Sequence, residues 1–162
     1  MKRTAVFAGT FDPVTTGHID ILKKALLLFD EVHILIAVNP DKKCFFDEES
    51  RLEMLEKSVV SAGIEDLVKV CIWHGYLYEY CEKIGSRFIV KGVRNKDDFE
   101  YEKELAEKTK EACEKIETVL LISSKEYENV SSSNVRSMLS SGKDVSAFVP
   151  EGALDLICKK MK

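Results

Sequence analysis

The chain has few of the residues that interrupt or cross-link a fold. Its 162 residues include only 3 prolines and 8 glycines, and no stretch rich in Pro, Gly or Ser indicates a linker between domains. The five cysteines are odd in number, scattered, and form no C-x-x-C pair, which argues against a disulfide framework or a zinc site. We expect free thiols in a reducing compartment and predict a cytoplasmic protein.

Long apolar runs and a strong net charge are also missing. No apolar run approaches the roughly 18 residues that a membrane span needs. We also expect no signal peptide, because no basic segment leads into an apolar stretch and a small-residue cleavage site. The net charge of −4 argues against nucleic acid or an anionic membrane as a partner, although a local basic pocket is compatible with it. With 45% hydrophobic and 32% charged residues, we predict one globular domain over residues 1–162.

Short apolar runs alternate with helical patterns along the chain. Five runs are almost continuously apolar, as in strands covered on both faces: Thr4–Ala8, Val32–Val38, Val68–Ile72, Phe88–Lys91 and Thr118–Ile122. Helical patterns lie at His18–Phe29, from Asp47 onward, and at Leu77–Ile84, Asp98–Glu114, Ser133–Ser140 and Glu151–Met161. This alternation predicts an α/β fold with five mostly parallel strands, right-handed crossovers and C-terminal helices.

Three residues mark predicted helix boundaries. Asp47 is expected to cap the start of the second helix. Gly142 is expected to end the helix that begins near Ser133, and Pro150 to lie in the first turn of the last helix.

The segment that joins the first strand to the first helix carries the clearest functional signal. From Ala8 to His18 it reads Ala-Gly-Thr-Phe-Asp-Pro-Val-Thr-Thr-Gly-His. Backbone N–H groups and the positive end of a helix dipole favour phosphate at such a junction, and the Thr10 hydroxyl can bind a phosphate oxygen. His18 can donate from Nε2 to a phosphoryl group that gains charge in the transition state. On this segment alone, the alternative of a plain turn followed by a capping histidine stays open.

Other polar clusters follow other strands of the predicted sheet. The carboxyl ends of parallel strands share one edge, where ligands bind in α/β sheets. After the second strand, Lys42 can bind phosphate as a mobile point charge, whereas Lys43 is expected to be solvated. Lys91-Gly-Val-Arg94 ends the fourth strand, and the Arg94 guanidinium can bind phosphate through two hydrogen bonds. These positions predict a phosphate-binding edge.

The remaining polar clusters allow structural explanations as well as functional ones. Ser131-Ser-Ser133 lies at a predicted helix start, where one serine would serve as an N-cap and the others would contact a nucleotide. Asp98 and Glu100 favour a helix N-terminus through the dipole. His33 and His74 have no partner at metal-ligand spacing, so both are expected to be structural and no metal ligand is predicted. No Ser-His-Asp set is evident.

With these residues assembled, the sequence resembles the bacterial phosphopantetheine adenylyltransferases of the nucleotidylyltransferase superfamily. Thr15-Thr-Gly-His18 resembles the superfamily's T/H-x-G-H motif, and the Asp-Phe-Glu-Tyr-Glu segment at 98–102 and Ser124-Lys-Glu126 resemble motifs of this family. The resemblance covers essentially the whole chain. It departs at Lys91, where the family usually has an arginine that would bind in bidentate geometry, and at Thr16, where an asparagine is common.

The resemblance implies a single-domain, Rossmann-like, doubly wound sheet and a specific reaction. That reaction is the reversible transfer of AMP from ATP to 4′-phosphopantetheine, which gives dephospho-coenzyme A and pyrophosphate in the penultimate step of coenzyme A synthesis. The resemblance also implies Mg²⁺ as cofactor and a homohexamer as the assembly.

Individual residues receive roles from the resemblance. Catalysis would rest on His18, Lys42 and Arg94. The phosphopantetheine contacts would be Thr10, Lys42, Leu77 and Lys91. The ATP contacts would be Thr10, Phe11, His18, Gly92, Val93, Arg94, Glu102, Tyr127, Glu128, Asn129, Val130, Ser131, Ser132 and Ser133.

Three alternatives remain at this point. The nearest is another nucleotidylyltransferase of the same superfamily, acting on nicotinamide mononucleotide or a glycerol phosphate. A non-catalytic nucleotide-binding module would keep the binding edge without the chemistry, and the joint presence of His18, Lys42 and Arg94 argues against it. A flavodoxin-type electron carrier has support only from the first loop.

Overall fold

The computed structural model describes residues 2–39 and 41–161. Met1, Pro40 and Lys162 lie outside these ranges. The two ends of the predicted domain of residues 1–162, and one residue of the predicted loop at 39–43, are therefore outside the described residues.

Within the described residues, five strands form one parallel sheet of order β3-β2-β1-β4-β5. The strands are β1 (Thr4–Gly9), β2 (Glu31–Ala37), β3 (Val68–Trp73), β4 (Phe88–Val93) and β5 (Glu117–Ile122). The helices are α1 (Thr16–Ala25), α2 (Glu48–Ser61), α3 (Leu77–Ile84), α4 (Lys96–Ala112), α5 (Ser132–Ser140) and α6 (Glu151–Lys160). Short 3₁₀ helices lie at Glu65–Leu67 and Lys125–Tyr127. The doubly wound α/β prediction is confirmed.

The two faces of the sheet are buried by different helices. Successive strand residues point to opposite faces, so Ala5 and Phe7 join one apolar cluster while Val6 and Ala8 join the other. The larger cluster takes in buried residues of α1, α2, α5 and α6. The smaller one includes Tyr80 and Cys81 of α3. Strands covered on both faces explain why the strand sequences are nearly continuous in apolarity.

The strand order sets the place of a ligand site. The chain adds β2 and β3 on one side of β1 and then crosses to add β4 and β5 on the other side. Such a change of direction opens a crevice outside the carboxyl ends of the two central strands, here β1 and β4.

The first predicted helix is too long at its C-terminus. The pattern predicted helix through Phe29, but α1 ends at Ala25 and the amides of Leu28 and Phe29 both donate to the Ala25 carbonyl. Phe29 nevertheless remains in the core at 7% exposure, whereas Leu27 is 82% exposed. The apolar periodicity therefore continues into the turn that follows the helix.

Other helix boundaries shift by one or two residues. The prediction of Asp98 as the start of α4 is wrong, because the Asn95 side chain caps the helix by accepting the Asp98 amide at 2.9 Å. Pro150 is the extended N-cap residue of α6 instead of a first-turn residue. Asp47 caps α2 and Gly142 takes a left-handed φ of 66° just after α5, both as predicted. No helix of the described residues is long and apolar enough to cross a bilayer.

Candidate active site

A cavity of about 540 Å³ lies outside the carboxyl ends of β1 and β4. Its wall combines residues from β1 and the following loop, α1, the end of β4, α4 and the segment before α5. A second cavity of about 390 Å³ lies beside it, and Thr10 and Lys42 line both. The following predicted residues line the larger cavity: Thr10, Phe11, His18, Lys42, Lys91, Gly92, Arg94, Glu102, Val130, Ser131, Ser132 and Ser133.

His18 both caps a helix and faces the cavity. Thr15 is the N-cap of α1, and its backbone N–H donates to His18 Nδ1 at 3.0 Å, while the His18 N–H donates to Thr15 Oγ1 at 3.4 Å. This is a capping box in which histidine takes the place of the usual Glu or Gln. The two sequence interpretations of His18 are thus compatible with each other.

The same hydrogen bonds assign the proton on the imidazole. A backbone N–H can only donate, so Nδ1 is the unprotonated nitrogen and the neutral ring carries its proton on Nε2. Burial, with a smaller contribution from the Arg94 charge, lowers the pKa of His18 to about 4. The ring is therefore a neutral Nε2–H donor at physiological pH.

Phe11 and Thr10 are fixed in position beneath this donor. Phe11 adopts a left-handed φ of 49° and is 2% exposed, with its ring centroid 4.9 Å from that of His18 and 5.4 Å from that of Phe7. Arg51, which is 3% exposed, donates from Nη1 to the Thr10 carbonyl at 2.8 Å. Packing and this hydrogen bond maintain a backbone conformation that a non-glycine residue seldom adopts.

Lys42 reaches the first loop from the loop after β2. Its Nζ donates to the Thr10 hydroxyl at 3.2 Å, so the ammonium and the hydroxyl form one polar pair between the two cavities. Lys43 is exposed and is not part of either cavity wall, as the prediction of a solvated residue requires.

Arg94 is oriented by a carboxylate of α4. Its Nε and Nη2 donate to the two Asp98 oxygens at 2.7 and 3.1 Å, and its Nη1 donates to the Val130 carbonyl at 3.2 Å. Bidentate pairing of this kind fixes the plane of a guanidinium. The interpretation of Asp98 as merely a favourable helix-dipole charge is therefore incomplete.

Lys91 and Glu102 form a looser pair on the same side of the cavity. Lys91 Nζ donates to the Ala8 carbonyl at 3.2 Å and lies 3.8 Å from Glu102 Oε2. Glu102 Oε2 is buried and accepts no hydrogen bond from the described residues. This oxygen can accept a bond from a ligand hydroxyl or a reoriented ammonium.

Gly92 is required here by the close approach of α1. A Cβ at this position would lie 2.7 Å from Ile21 Cγ1, so any side chain would push α1 away from β4. The glycine thus keeps the helix that carries His18 close to the strand that ends just before Arg94.

The three serines at the start of α5 have different partners. Ser131 is the N-cap, and its Oγ accepts the Asn134 amide at 3.1 Å, as expected for one of the three. The Ser132 hydroxyl donates to the Pro13 carbonyl at 2.8 Å, and the Ser133 Oγ accepts from Arg136 Nη2 at 3.1 Å. All three serines line the cavity beside the first loop.

The segment after β5 is attached to α1 by a carboxylate. Asp20 accepts the Ser124 amide at 2.9 Å and the Ser124 hydroxyl at 2.8 Å. The segment also passes beside Gly17, where a Cβ would lie 3.7 Å from Tyr127 Cβ, an ordinary van der Waals distance. These contacts hold the Tyr127–Ser133 segment over the N-terminus of α1.

Some predicted residues lie elsewhere. Leu77, the first residue of α3, packs against the smaller apolar cluster and lines neither cavity among the described residues. Val93 is buried. Tyr127, Glu128 and Asn129 belong to the segment over α1 but do not line the described cavity walls.

One face of α4 forms part of the site, which the sequence interpretation did not predict. Asp98, Tyr101, Glu102 and Leu105 all line the larger cavity, and only Glu102 was predicted. The four fall at i, i+3, i+4 and i+7, which places them on one helix face. This spacing is visible in the sequence, but the surrounding Glu and Lys residues made the helix resemble a solvated surface.

His33 and His74 have structural environments, as predicted. His33 is buried, with Nδ1 2.9 Å from Tyr80 Oη and Nε2 3.0 Å from Glu31 Oε1. His74 is paired with Glu48 at 3.1 Å. Within residues 2–39 and 41–161, no group of three or more His, Cys, Asp or Glu side chains could hold a metal ion.

Residues 6–138 match the protein family described as cytidylyltransferase-like. The chain is 40% identical over 158 residues to the phosphopantetheine adenylyltransferase of Leifsonia xyli, covering 97% of this chain and 98% of that protein. It is 41% identical over 149 residues to the phosphopantetheine adenylyltransferase of Flavobacterium psychrophilum, covering 92% and 96% of the two chains. The fold is also similar to the crystal structure of a bifunctional NMN adenylyltransferase/ADP ribose pyrophosphatase from Francisella tularensis, with a TM-score of 0.75, 21% identity, and coverage of 99% of this chain and 50% of that chain. Its sequence is similar to these two phosphopantetheine adenylyltransferases over nearly its full length, and its motifs converge on one cavity. The chain therefore belongs to the phosphopantetheine adenylyltransferase family.

Proposed function

We propose that this chain transfers AMP from ATP to 4′-phosphopantetheine and releases pyrophosphate. The observation that carries the proposal is the convergence of Thr10, His18, Lys42, Lys91 and Arg94, from three segments of the chain, on one cavity. Hydroxyl, neutral imidazole, ammonium and guanidinium groups are the donors that two phosphate-bearing substrates require. The family supplies the identity of the substrates.

The reaction needs no covalent enzyme intermediate. A phosphate oxygen of 4′-phosphopantetheine forms a new bond to the α-phosphorus of ATP. The bond from that phosphorus to the oxygen bridging the β-phosphate breaks, and pyrophosphate leaves with the electron pair. Catalysis then consists of aligning the two molecules and stabilising charge on the transferred phosphoryl group.

The chain's own groups fit these tasks. The Thr15 amide at Nδ1 leaves the proton of His18 on Nε2, which donates a hydrogen bond to the transferred group. The ring keeps this proton because its loss would leave an imidazolate. Thr10, Lys42 and Lys91 bind the phosphate of 4′-phosphopantetheine. Leu77 lines neither cavity, so its proposed contact with the pantetheine arm requires the arm to extend beyond the two cavities. Arg94 and Ser131–Ser133 bind the ATP phosphates, with the other predicted ATP residues around the nucleoside.

Mg²⁺ is proposed as the cofactor, carried by the nucleotide. Among the described residues the larger cavity offers few ligands of its own, since its two carboxylates, Asp98 and Glu102, already lie beside Arg94 and Lys91. Mg²⁺ usually keeps several waters and binds substrate phosphates, which fits such a site. When bound, the ion would neutralise part of the triphosphate charge.

A homohexamer in the cytoplasm is proposed as the working form. The assembly is supported by the family and by exposed apolar side chains at the β5 edge of the sheet: Phe99 of α4 is 43% exposed and Ile122 at the end of β5 is 75% exposed. The compartment is supported by the free cysteines of the described chain. Sedimentation velocity of the purified protein tests the assembly, and a monomer at micromolar concentration would contradict it.

Pyrophosphate release in the presence of ATP and Mg²⁺ tests the proposed reaction. We expect turnover with 4′-phosphopantetheine and at least a hundredfold lower kcat/KM with nicotinamide mononucleotide or glycerol 3-phosphate. Preference for either of the latter would assign a different reaction. Binding of ATP without turnover of any acceptor would indicate a nucleotide-binding module.

A further inference from the structure

The buried carboxylate of Asp12 connects the first loop to the loop that carries Lys42. Asp12 is 4% exposed, and its two oxygens each accept one backbone N–H at 2.8 Å, Oδ2 from Phe45 and Oδ1 from Phe46. Buried charge requires such compensation, and two charge-assisted bonds from neighbouring amides supply it.

The two ends of this connection lie close in sequence to two substrate-binding groups. Asp12 follows Thr10 by two residues, and Phe45 follows Lys42 by three. The Lys42 ammonium in turn donates to the Thr10 hydroxyl at 3.2 Å. The two loops are therefore joined twice, once by a buried carboxylate and once by the polar pair at the cavity.

Asp12 is itself fixed from a third segment. Arg136 of α5 donates from Nη1 to the Asp12 carbonyl at 2.6 Å, and its Nη1 lies 3.9 Å from Asp12 Oδ2. On the other side, the Thr10 carbonyl is held by Arg51 at 2.8 Å. The carboxylate thus projects from a well-anchored backbone toward the Lys42 loop, which is also held by the packing of Phe46 in the larger apolar cluster.

We propose that Asp12 is a positioning residue, which places Lys42 against the phosphate of the acceptor substrate by holding the amides of Phe45 and Phe46. This inference rests on the proposed function, in which Lys42 binds that phosphate. An aspartate that only closed a turn would affect both substrates alike. Replacing a residue that acts through Lys42 weakens binding of the acceptor and leaves KM for ATP unchanged.

Asp12→Asn tests the proposal with the least change in shape. An asparagine has one acceptor oxygen, so its amide group faces one of the two backbone N–H donors and that hydrogen bond is lost. We expect kcat/KM for 4′-phosphopantetheine to fall by about tenfold to a hundredfold, as a small misplacement near the reacting groups does, with KM for ATP within about twofold of the original.

A double-mutant cycle with Lys42→Ala shows whether the effect passes through Lys42. We expect Asp12→Asn to lower kcat/KM by less than about twofold in the Lys42→Ala background, because coupled residues are not additive. Asp30→Asn is the matched control: Asp30 also accepts a distant backbone N–H, from Arg3 at 2.7 Å, but lies just before β2 at the opposite end of the sheet. It should leave both kinetic constants unchanged.

Three kinetic results would overturn the inference. They are an unchanged kcat/KM for 4′-phosphopantetheine in Asp12→Asn, an equal rise in KM for both substrates, and effects on kcat/KM that are fully additive with those of Lys42→Ala. Amide hydrogen exchange of the unmodified protein provides a test that needs no folded variant. Protection of the Phe45 and Phe46 amides supports the inference, and exchange as fast as that of the exposed Lys43 amide contradicts it. If the unmodified enzyme does not use 4′-phosphopantetheine, the proposed function fails, and exchange alone decides whether Asp12 holds the loop.

Discussion

Four consecutive residues, Thr15 to His18, start a helix and supply the proposed donor to the reacting phosphate. The Thr15 amide occupies His18 Nδ1, and this one hydrogen bond sets the tautomer of the ring. The T-x-G-H motif was found in the sequence because of its position between a strand and a helix. A capping histidine was the alternative that the sequence left open, but its reciprocal pairing with Thr15 was not foreseen, because histidine is not among the usual residues of a capping box.

Replacing His18 separates the two roles. We expect His18→Ala to lower kcat by about a hundredfold to a thousandfold through loss of the donor, and to reduce stability by about 1 kcal/mol through loss of the cap. His18→Gln restores a side chain suited to the capping box and should recover the stability but not the rate. Steady-state kinetics and urea unfolding measure the two effects, and a His18→Ala enzyme with near-normal kcat would remove His18 from the mechanism.

The ionisation of His18 should be visible only in acid. Because the folded state holds the pKa at about 4 while the unfolded chain keeps about 6.5, protonation favours the unfolded chain as pH falls from 6.5 toward 4. Stability is therefore lost over that window, and the donor remains neutral above it. NMR titration should show an Nε2–H tautomer with a midpoint near 4, and a midpoint near 6.5 would contradict the assignment.

Lys91 offers a substitution expected to improve binding. Its ammonium makes one hydrogen bond, to the Ala8 carbonyl, and lies 3.8 Å from a Glu102 oxygen that has no bonded partner among the described residues. A guanidinium can reach a phosphate through two parallel bonds, so Lys91→Arg should lower KM for 4′-phosphopantetheine severalfold with little change in kcat. Lys43→Arg, on an exposed position outside both cavity walls, is the control and should change neither constant.

At the scale of elements, the contact between α2 and α6 depends on one residue. A Cβ on Gly152 would lie 2.2 Å from the Lys57 carbonyl oxygen, which is backbone and cannot rotate away. Gly152→Ala should therefore reduce stability by about 1–3 kcal/mol or more, as overpacking does, although alanine is the better helix former. Thermal unfolding measures the change, and Glu151→Ala, at the exposed position next to Gly152, is the control. An increase in Tm for Gly152→Ala would contradict the prediction, because it would show that α2 and α6 accommodate the added methyl group without loss of stability.

Element positions were largely predictable from apolar periodicity, and their boundaries less so. Leu77–Ile84 was predicted with the bounds that the structure has, and the structure ends this helix at Gly85, which has a left-handed φ of 69°. The end of α1 was not, since the apolar spacing continues to Phe29 beyond the last helical residue. The end of a helix depends on local hydrogen bonds, which the periodicity of apolar residues does not reveal.

At the scale of the whole molecule, the shared edge of the sheet was predictable and its cross-connections were not. Alternating strands and helices place the carboxyl ends of all strands together, so Thr10, Lys42 and Arg94 were expected to meet. Pairs such as Asp98 with Arg94, or Asp12 with the amide of Phe45, join residues whose contact depends on side-chain direction. Such pairs are not encoded in spacing along one element.

The whole fold should also be sensitive to acid. Lys2 lowers the pKa of Glu31 to about 2, with His33 and Lys69 adding to the effect, so this carboxylate stabilises the fold above its unfolded pKa of about 4.5. That contribution is lost as pH falls from 4.5 toward 2. Glu31→Gln should lower the free energy of unfolding at pH 7 and make it less dependent on pH below 4.5, as urea unfolding across this range would show. Parallel curves for the two proteins would contradict the assignment.

The pairing of Arg94 with Asp98 has a consequence for the catalytic cycle. The guanidinium is paired with Asp98 of α4, so in the proposed reaction the nucleotide must share it or take it over. Entry of ATP is then an exchange of one ion pair for another, so its affinity varies less with ionic strength than an open cationic pocket would require. In the same proposed reaction, departure of pyrophosphate would return the arginine to the Asp98 carboxylate, which would favour release of the product.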